Sequence, residues 1–186
     1  MKNLLLIISL LLIVNLMFAN IEISSGNDFP KENKQLKKDK KFSDKKGKFR
    51  IQFPGEPKKE KKVVETAIGD LDMFTFTCVD GNDVYMVAFT EFGEKINELN
   101  TKDLVQKAKG GFISSINLEI IEEKEFKIND NYGVRVEAKN DKYYTVLKLF
   151  LANNILYQLV IIVAGDHIDN KSANNFLDSF ELLKKK

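Results

Sequence analysis

The most informative stretch for the fold is Gly-Lys-Phe-Arg-Ile-Gln-Phe-Pro-Gly-Glu-Pro, at residues 47–57. The alternate residues from Phe49 to Phe53 are apolar, which predicts a short strand with one face in the core. Pro54 lacks a backbone donor and Gly55 tolerates a positive φ, so strand pairing is expected to end there. We therefore expect a folded domain to begin at Lys48, directly after a lysine-rich segment.

The first residues have the pattern of a secretory signal. Lys2 precedes an apolar run from Leu4 to Phe18, and Ala19 with polar residues follows it. The run is shorter than the roughly 20 apolar residues that a membrane-spanning helix needs. We expect export to the periplasm or the medium, with cleavage after Ala19, and an uncleaved membrane anchor is the alternative. No Cys lies near the cleavage point to be acylated, so a lipoprotein is not expected.

The chain divides into four predicted segments. Residues 1–19 are the signal peptide, 20–47 a disordered lysine-rich linker, 48–183 a single domain and 184–186 a basic tail. The linker is predicted to be disordered because it is highly charged and has little hydrophobic periodicity. The single cysteine, Cys78, has no partner for an intramolecular disulfide, so the stability of the domain is expected to come from packing.

Charge is distributed unevenly along the chain. The formal net charge is +2, yet residues 31–48 contain nine Lys and three acidic residues, while residues 49–183 contain 16 Lys or Arg and 22 Asp or Glu. The basic flank predicts a weak contact with an anionic surface, such as a lipid, a cell-wall polymer or an acidic partner. The alternative for this flank is a solvated spacer. Export and the acidic domain argue against nucleic-acid binding.

Hydrophobic periodicity predicts an α+β fold. Helical spacing indicates helices at Asn100–Asn117 and Asp169–Leu183. Alternation with a period of two indicates seven longer strands, at residues 60–68, 71–79, 84–92, 118–128, 133–140, 142–152 and 155–163. The last two strands are apolar on both faces, which is typical of a sheet centre with both sides covered. We therefore predict an antiparallel β-sheet of about seven strands flanked by two main helices.

Two segments resemble a known group of proteins. The strand and turn at Phe49–Pro57 and the Phe-Leu-Asp-Ser-Phe sequence at Phe176–Phe180 resemble exported bacterial proteins with a PsbP-like sandwich fold. That fold is named after an extrinsic subunit of the photosynthetic oxygen-evolving complex, and a nuclear-import protein that binds the Ran GTPase shares it. The resemblance covers about residues 48–183 and implies the fold, a non-enzymatic tendency and an accessory role. It implies no functional residue, because both motifs are structural.

The strongest catalytic candidate is His167, the only histidine in the chain. A divergent hydrolase would use it as a base, with Asp166 or Asp169 orienting the ring and Cys78 or a serine as nucleophile. No nucleophile motif of the Gly-x-Ser-x-Gly type is present. We therefore predict that the protein is not an enzyme, and the hydrolase using His167 is the alternative.

The sequence predicts no metal and no cofactor. One His and one Cys are too few ligands for a zinc site. The turn Asp80–Asp83 lacks the twelve-residue spacing of a calcium loop. Gly110 and Gly111 are not followed by the Lys-Ser/Thr of a phosphate loop, and no other cofactor motif occurs.

Aromatic residues are the remaining candidates for a binding pocket or surface. Tyr143 and Tyr144 fall on opposite faces of one predicted strand, Tyr157 lies on the next, and His167 follows it. These side chains are candidates for the lining of a site for an apolar or glycan ligand. Core packing is the alternative, which the usual role of aromatic residues favours. The sequence thus predicts an exported, non-catalytic binding or accessory protein of the cell envelope, with an envelope protein or a small ligand as its partner.

Overall fold

A computed structural model of the chain describes residues 41–66, 69–93, 100–165 and 170–183. Along these segments, runs of strands are separated by single helices, as in an α+β domain. In chain order the elements are β1 (Phe42–Asp44), β2 (Phe49–Ile51), β3 (Lys58–Thr66), β4 (Gly69–Asp80), β5 (Asp83–Glu91), α1 (Thr101–Ser115), β6 (Glu119–Ile128), β7 (Asn131–Lys139), β8 (Tyr143–Ala152), β9 (Ile155–Ala164), α2 (Asn170–Asp178) and β10 (Glu181–Leu182).

The main element is an antiparallel sheet of seven strands. Its strand order is β3-β4-β5-β9-β8-β7-β6, so β9 lies at the centre and β3 and β6 form the two edges. Nine of the ten residues of β9 are buried, which agrees with its apolar sequence on both faces. The predicted sheet of about seven strands flanked by two helices is confirmed, and so is the central position of the strands that are apolar on both faces.

Two hairpin turns of the sheet follow directly from an Asn-Asp pair and an Asn-Asn pair. Asn153 and Asn154 join β8 to β9 with φ of 52° and 64°, and Asn129 and Asp130 join β6 to β7 with φ of 45° and 66°. Two-residue turns with positive φ at both positions match the twist of antiparallel strands, and Asn and Asp tolerate that conformation. Both turns were predicted from these residues.

Helix α1 covers one face of the seven-stranded sheet. It begins after Asn100, whose side chain accepts a hydrogen bond from the backbone N–H of Asp103 at 3.2 Å. Its apolar stripe packs on β7 and β8 and includes Leu104, Val105, Ala108 and Phe112. Gly110 and Gly111 lie inside the helix without ending it, so the predicted helix over this region is confirmed.

The opposite face is covered by a second, three-stranded sheet, which we call the small sheet, together with α2. In the small sheet β2 lies between β1 and β10, and both pairings are antiparallel. The rings of Phe49 and Phe180 stack at 5.5 Å between centroids, and Phe49 also contacts Phe76 of the large sheet at 5.7 Å. Each such fully buried aromatic ring contributes about 1.5–3 kcal/mol to folding. The two faces therefore form separate hydrophobic cores on the two sides of one sheet.

The turn between β1 and β2 approaches the large sheet closely. A Cβ atom on Gly47 would lie 2.6 Å from a ring carbon of Phe89 and 2.8 Å from the ring of Phe49. Real Cβ contacts do not come that close, so a side chain at residue 47 would push the small sheet away from the large one. Glycine at this position is therefore required by packing.

The structure corrects two predicted boundaries. Strand β1 (Phe42–Asp44) lies inside the stretch that was predicted as disordered linker, so the folded part begins before Lys48. The final helix was predicted to run from Asp169 to Leu183, but α2 ends at Asp178 and the chain returns as β10. In both places a two- or three-residue strand is stabilised by pairing with β2, and such short strands carry little periodic signal of their own.

Candidate functional site

The residues predicted to form a pocket or surface lie in different places. Tyr143 and Tyr144 are half-buried on opposite faces of β8, with Tyr143 on the α1 side and Tyr144 on the small-sheet side. Tyr157 lies inside the core. His167 falls outside the described residues, so its role as a base in a hydrolase stays a prediction. The structure thus brings Tyr144 and Tyr157 to the same face of the sheet and places Tyr143 on the other.

Tyr157 is a core residue with a polar anchor. Its side chain has no exposed surface, and its ring stacks on Phe150 at 5.1 Å between centroids. Its hydroxyl donates a hydrogen bond of 2.7 Å to the backbone oxygen of Gly47. Burial raises the pKa of the Tyr157 hydroxyl well above its ordinary value. The alternative of core packing therefore describes Tyr157, and it lines no surface.

Tyr144 belongs to a polar cluster near the β6 edge, which we define as Arg135, Glu137 and Tyr144. Arg135 and Glu137 are two residues apart on β7 and so share one face, and Tyr144 of β8 is the diagonal neighbour of Glu137. The Tyr144 hydroxyl donates to one carboxylate oxygen of Glu137 at 2.5 Å, and the Arg135 guanidinium donates to the other. The side chains of Arg135 and Glu137 are 19% and 17% exposed, so the cluster is accessible but held in place.

The polar cluster holds its charges fixed at neutral pH. Burial raises the pKa of Glu137, but the hydrogen bonds from Tyr144 and Arg135 outweigh it, so the pKa of that carboxyl is lowered. Burial and the hydrogen bond to Glu137 raise the pKa of Tyr144 to about 12. A general acid or base works best with a pKa near the operating pH. The cluster is therefore arranged for recognition by hydrogen bonds and charge, and poorly arranged for proton transfer.

Two further ion pairs lie on the same face of the sheet. Lys148 of β8 bonds Asp178 at the end of α2 at 2.7 Å, and its Nζ lies 5.8 Å from the ring centroid of Phe126. Lys124 and Glu122 pair at 2.7 Å on β6. The surface around the polar cluster therefore contains charges of both signs and one aromatic ring. This is the kind of surface on which polar groups set specificity and a ring supplies contact area.

Sequence reasoning missed Arg135 and Glu137. The available signal was a pair of opposite charges at i and i+2 in a predicted strand, which places both on one face. That signal is common on solvated strands. Only the contact with Tyr144 of the next strand distinguishes this pair.

A polar cleft of about 400 Å³ lies at the end of the sheet, and it is lined by Glu119, Lys139, Asn140, Asp141 and Gly165. The Asn140 side chain shapes the turn itself, since it accepts from the backbone N–H groups of Lys142 and Tyr143 at 2.9 Å each. Among the described residues, the charged lining of the cleft consists of two carboxylates and a lysine. The cleft is therefore less suited to an apolar ligand than to a small polar one.

The described residues include Cys78, the candidate nucleophile, and most of the side chains that could bind a metal ion. Cys78 is buried, and burial raises its thiol pKa, so it remains a protonated thiol at neutral pH. Within residues 41–66, 69–93, 100–165 and 170–183, no group of three or more His, Cys, Asp or Glu side chains could hold a metal ion. The same residues contain no helix that is long and apolar enough to cross a membrane.

Comparison with solved structures defines the class of fold: the chain is an α+β sandwich with a PsbP-like fold. It matches the solution structure of cyanobacterial PsbP (CyanoP) from Synechocystis sp. PCC 6803 with a TM-score of 0.55. The match covers 85% of this chain and 98% of the CyanoP chain, at 13% sequence identity. At this identity the likeness establishes the fold alone, and it confirms the predicted resemblance at the level of the fold.

A crystal structure of a protein from Bacteroides thetaiotaomicron VPI-5482 aligns less well. Its TM-score is 0.41 at 13% identity, over 80% of this chain and 50% of that one. No family model and no curated protein matches the sequence. The function has to be argued from the geometry of the chain itself.

Proposed function

We propose that the chain is an exported, non-catalytic binding or accessory protein of the cell envelope, and that the polar cluster forms its recognition surface. The observation that carries this proposal is the pairing of Arg135 and Tyr144 with the two oxygens of the Glu137 carboxylate. A pre-ordered pair of this kind presents fixed donors and a fixed charge to a partner at small entropic cost. The pKa of the Glu137 carboxyl is lowered and that of the Tyr144 hydroxyl is raised, so neither group titrates near neutral pH, which suits binding.

The location in the proposal is supported by the sequence. The apolar run from Leu4 to Phe18 and the small residue Ala19 form the pattern of a cleaved secretory signal. A mass measurement on the exported protein tests it directly, because a mature chain that begins at Asn20 supports cleavage after Ala19. A chain that keeps the apolar run would instead support a membrane anchor.

The partner in the proposal is an envelope protein or a small ligand. The test uses the exported chain as bait in solubilised envelope, beside a variant with Arg135→Gln and Glu137→Gln. These changes remove both charges; Glu137→Gln keeps the shape of the side chain, while Arg135→Gln shortens it and keeps a hydrogen-bond donor. We expect a defined species to be captured by the unchanged chain and lost with the variant. The control is Lys107→Gln, because Lys107 is exposed on α1 at the opposite face of the sheet.

Two outcomes would contradict the proposal. Capture that is equal for the unchanged chain and the doubly neutralised variant would remove the polar cluster as the recognition surface. A second outcome is turnover of ester, peptide or glycoside probes by the purified chain, lost in His167→Ala. That result would establish the hydrolase alternative.

We propose a separate, weak role for the lysine-rich segment as a contact with anionic surfaces. Two lysines of the segment form ion pairs within the fold: Lys41 pairs with Glu181, and the Nζ of Lys46 lies 3.6 Å from a carboxylate oxygen of Asp72. The remaining charge lies mostly in residues 31–40. Sedimentation with vesicles that contain anionic lipid, with and without residues 20–40, tests this role. Binding that needs these residues and is lost in high salt is expected, because salt screens exposed charges.

A further inference from the structure

The two edges of the seven-stranded sheet have opposite charges. Strand β3 at one edge contains four Lys and two Glu, and β6 at the other contains four Glu and two Lys. Each of these strands pairs with one neighbour in the described part of the chain. A strand with one neighbour presents a row of unpaired backbone groups along its free side. The sheet therefore has one basic edge and one acidic edge.

The same two edges bear most of the exposed apolar surface. Four large apolar side chains of the described residues are exposed, and three of them belong to β3 or β6. On β3, Val63 is 61% exposed, and on β6, Ile120 and Ile121 are 41% and 49% exposed. Isolated apolar residues on a surface are ordinary, but here they coincide with the free edges and with the charge pattern.

We propose that copies of this chain associate head to tail, with the basic β3 edge of one copy against the acidic β6 edge of the next. Lysines on an edge strand normally prevent pairing of a sheet with its own copy. Two β3 edges would repel each other through their lysines, and two β6 edges would repel each other through their glutamates. Neither set of charges opposes the mixed contact, so the charge pattern disfavours both like-with-like pairings and favours only the heterologous one.

The topology sets the geometry of this contact. Seven strands alternate in direction across the sheet, so β3 and β6 run the same way. A second copy placed beside the first in the same orientation would join them as parallel strands and keep each α1 on the same side. Such a contact uses two different surfaces and does not close on itself. Association would therefore form open chains whose length rises with concentration.

Internal ion pairs limit the strength of the contact. On β3, three of the four lysines form ion pairs within the chain, among them Lys61 with Asp72, and on β6 three of the four glutamates do so, among them Glu123 with Lys109. The described residues offer no ion-pair partner to Lys62. The β-bulge between Ile120 and Glu122 also interrupts the regular backbone at the start of β6, which shortens the usable edge. We therefore expect weak association that is sensitive to salt.

The test measures sedimentation velocity of the exported chain from about 10 μM to about 1 mM, the range for weak and transient contacts. One variant, Lys62→Glu with Val63→Glu, makes the β3 edge acidic. A second variant, Glu119→Lys with Ile121→Lys, makes the β6 edge basic. The control, Lys107→Glu with Lys142→Glu, changes the net charge at exposed positions away from both edges. Circular dichroism melting checks that every variant is folded.

The proposal predicts a distinct pattern. The unchanged chain and the control associate, and each edge variant alone dissociates up to about thirtyfold more readily, since two exposed contacts of up to about 1 kcal/mol each are lost. Mixing the two edge variants restores association, because their remaining edges are complementary. About 500 mM salt weakens all association.

Three outcomes would overturn the head-to-tail contact. A chain that stays monomeric at about 1 mM in low salt would show that the edges do not pair, whether solvent or another part of the same chain covers them. An edge variant that still dimerises alone would establish a like-with-like contact through its unchanged edge. A control that dissociates as readily as the edge variants would show that their weaker association comes from the change in net charge alone. None of these results bears on the capture experiment, which concerns the polar cluster.

Discussion

The hydrogen bond from Tyr157 to Gly47 allows a sharp test of how the small sheet is attached to the large one. The change Tyr157→Phe removes only the hydroxyl, because a phenylalanine ring keeps the stacking on Phe150 and the edge contact with Phe180 at 5.5 Å. It leaves the buried backbone oxygen of Gly47 without the donor that lies 2.7 Å away. An unsatisfied buried acceptor costs about 1–3 kcal/mol.

This cost corresponds to a fall in Tm of about 3–10 °C for a domain of this size. The assay is urea unfolding followed by far-UV circular dichroism, because the chain has no Trp for fluorescence. The matched control is Tyr132→Phe, since the Tyr132 hydroxyl is accessible, accepts from Gln106 at 2.9 Å and donates to Glu125 at 3.1 Å. We expect the control to cost less than about 1 kcal/mol, because water can replace these contacts.

A contrary result is a Tyr157→Phe protein whose free energy of unfolding lies within about 0.5 kcal/mol of that of the unchanged chain, at an unchanged m-value. It would mean that the Gly47 oxygen finds another partner or that the small sheet is attached mainly by its aromatic rings. A changed m-value would point instead to an altered unfolded state.

Three further predictions concern the sheet, α1 and high pH. The pKa of Tyr144 is raised to about 12, so the folded chain holds this proton more tightly than the unfolded one, and stability should fall as pH rises above about 10. Tyr144→Phe should flatten that fall in urea titrations between pH 9 and 12. An identical slope for the two proteins would contradict the raised pKa. Gly133→Ala should cost about 1–3 kcal/mol of stability, because the new Cβ would lie 2.6 Å from the ring of Phe126. Gly110→Ala, whose Cβ would meet no neighbouring atom within 4 Å, should instead stabilise α1 by about 0.5–1 kcal/mol. Equal effects of the two substitutions in thermal melts would contradict the packing argument. Asn100→Ala should cost about 1 kcal/mol of stability in the same melts, because it removes the cap of α1. A neutral result would mean that the helix start is capped in another way.

Much of the fold was predictable because local patterns report local structure. The alternation of apolar residues located seven strands, the spacing of Leu104 and Ala108 located α1, and the pairs at Asn129 and Asn153 located two turns. These signals work because a side chain's face follows from its position in the chain, with a period of two or 3.6 residues. Burial on both faces of β9 was predictable for the same reason.

The small sheet was harder to predict because its strands depend on distant partners. Strand β1 has three residues and β10 has two, and each is held by pairing with β2. The partners β2 and β10 are separated by about 130 residues, and no pattern within either segment reports the other. For this reason the first strand was assigned to the linker and the last to a helix.

Local patterns were enough to predict the class of the fold, the order of its main elements and the uneven distribution of charge. Long-range packing sets which tyrosine is part of the core and which is accessible. Tyr144 and Tyr157 are on the same face of the same sheet, but the small sheet lies over Tyr157, while Tyr144 lies toward the β6 edge beside Arg135 and Glu137. The physical reason is that burial depends on what packs over a face, and distant parts of the chain supply that covering layer.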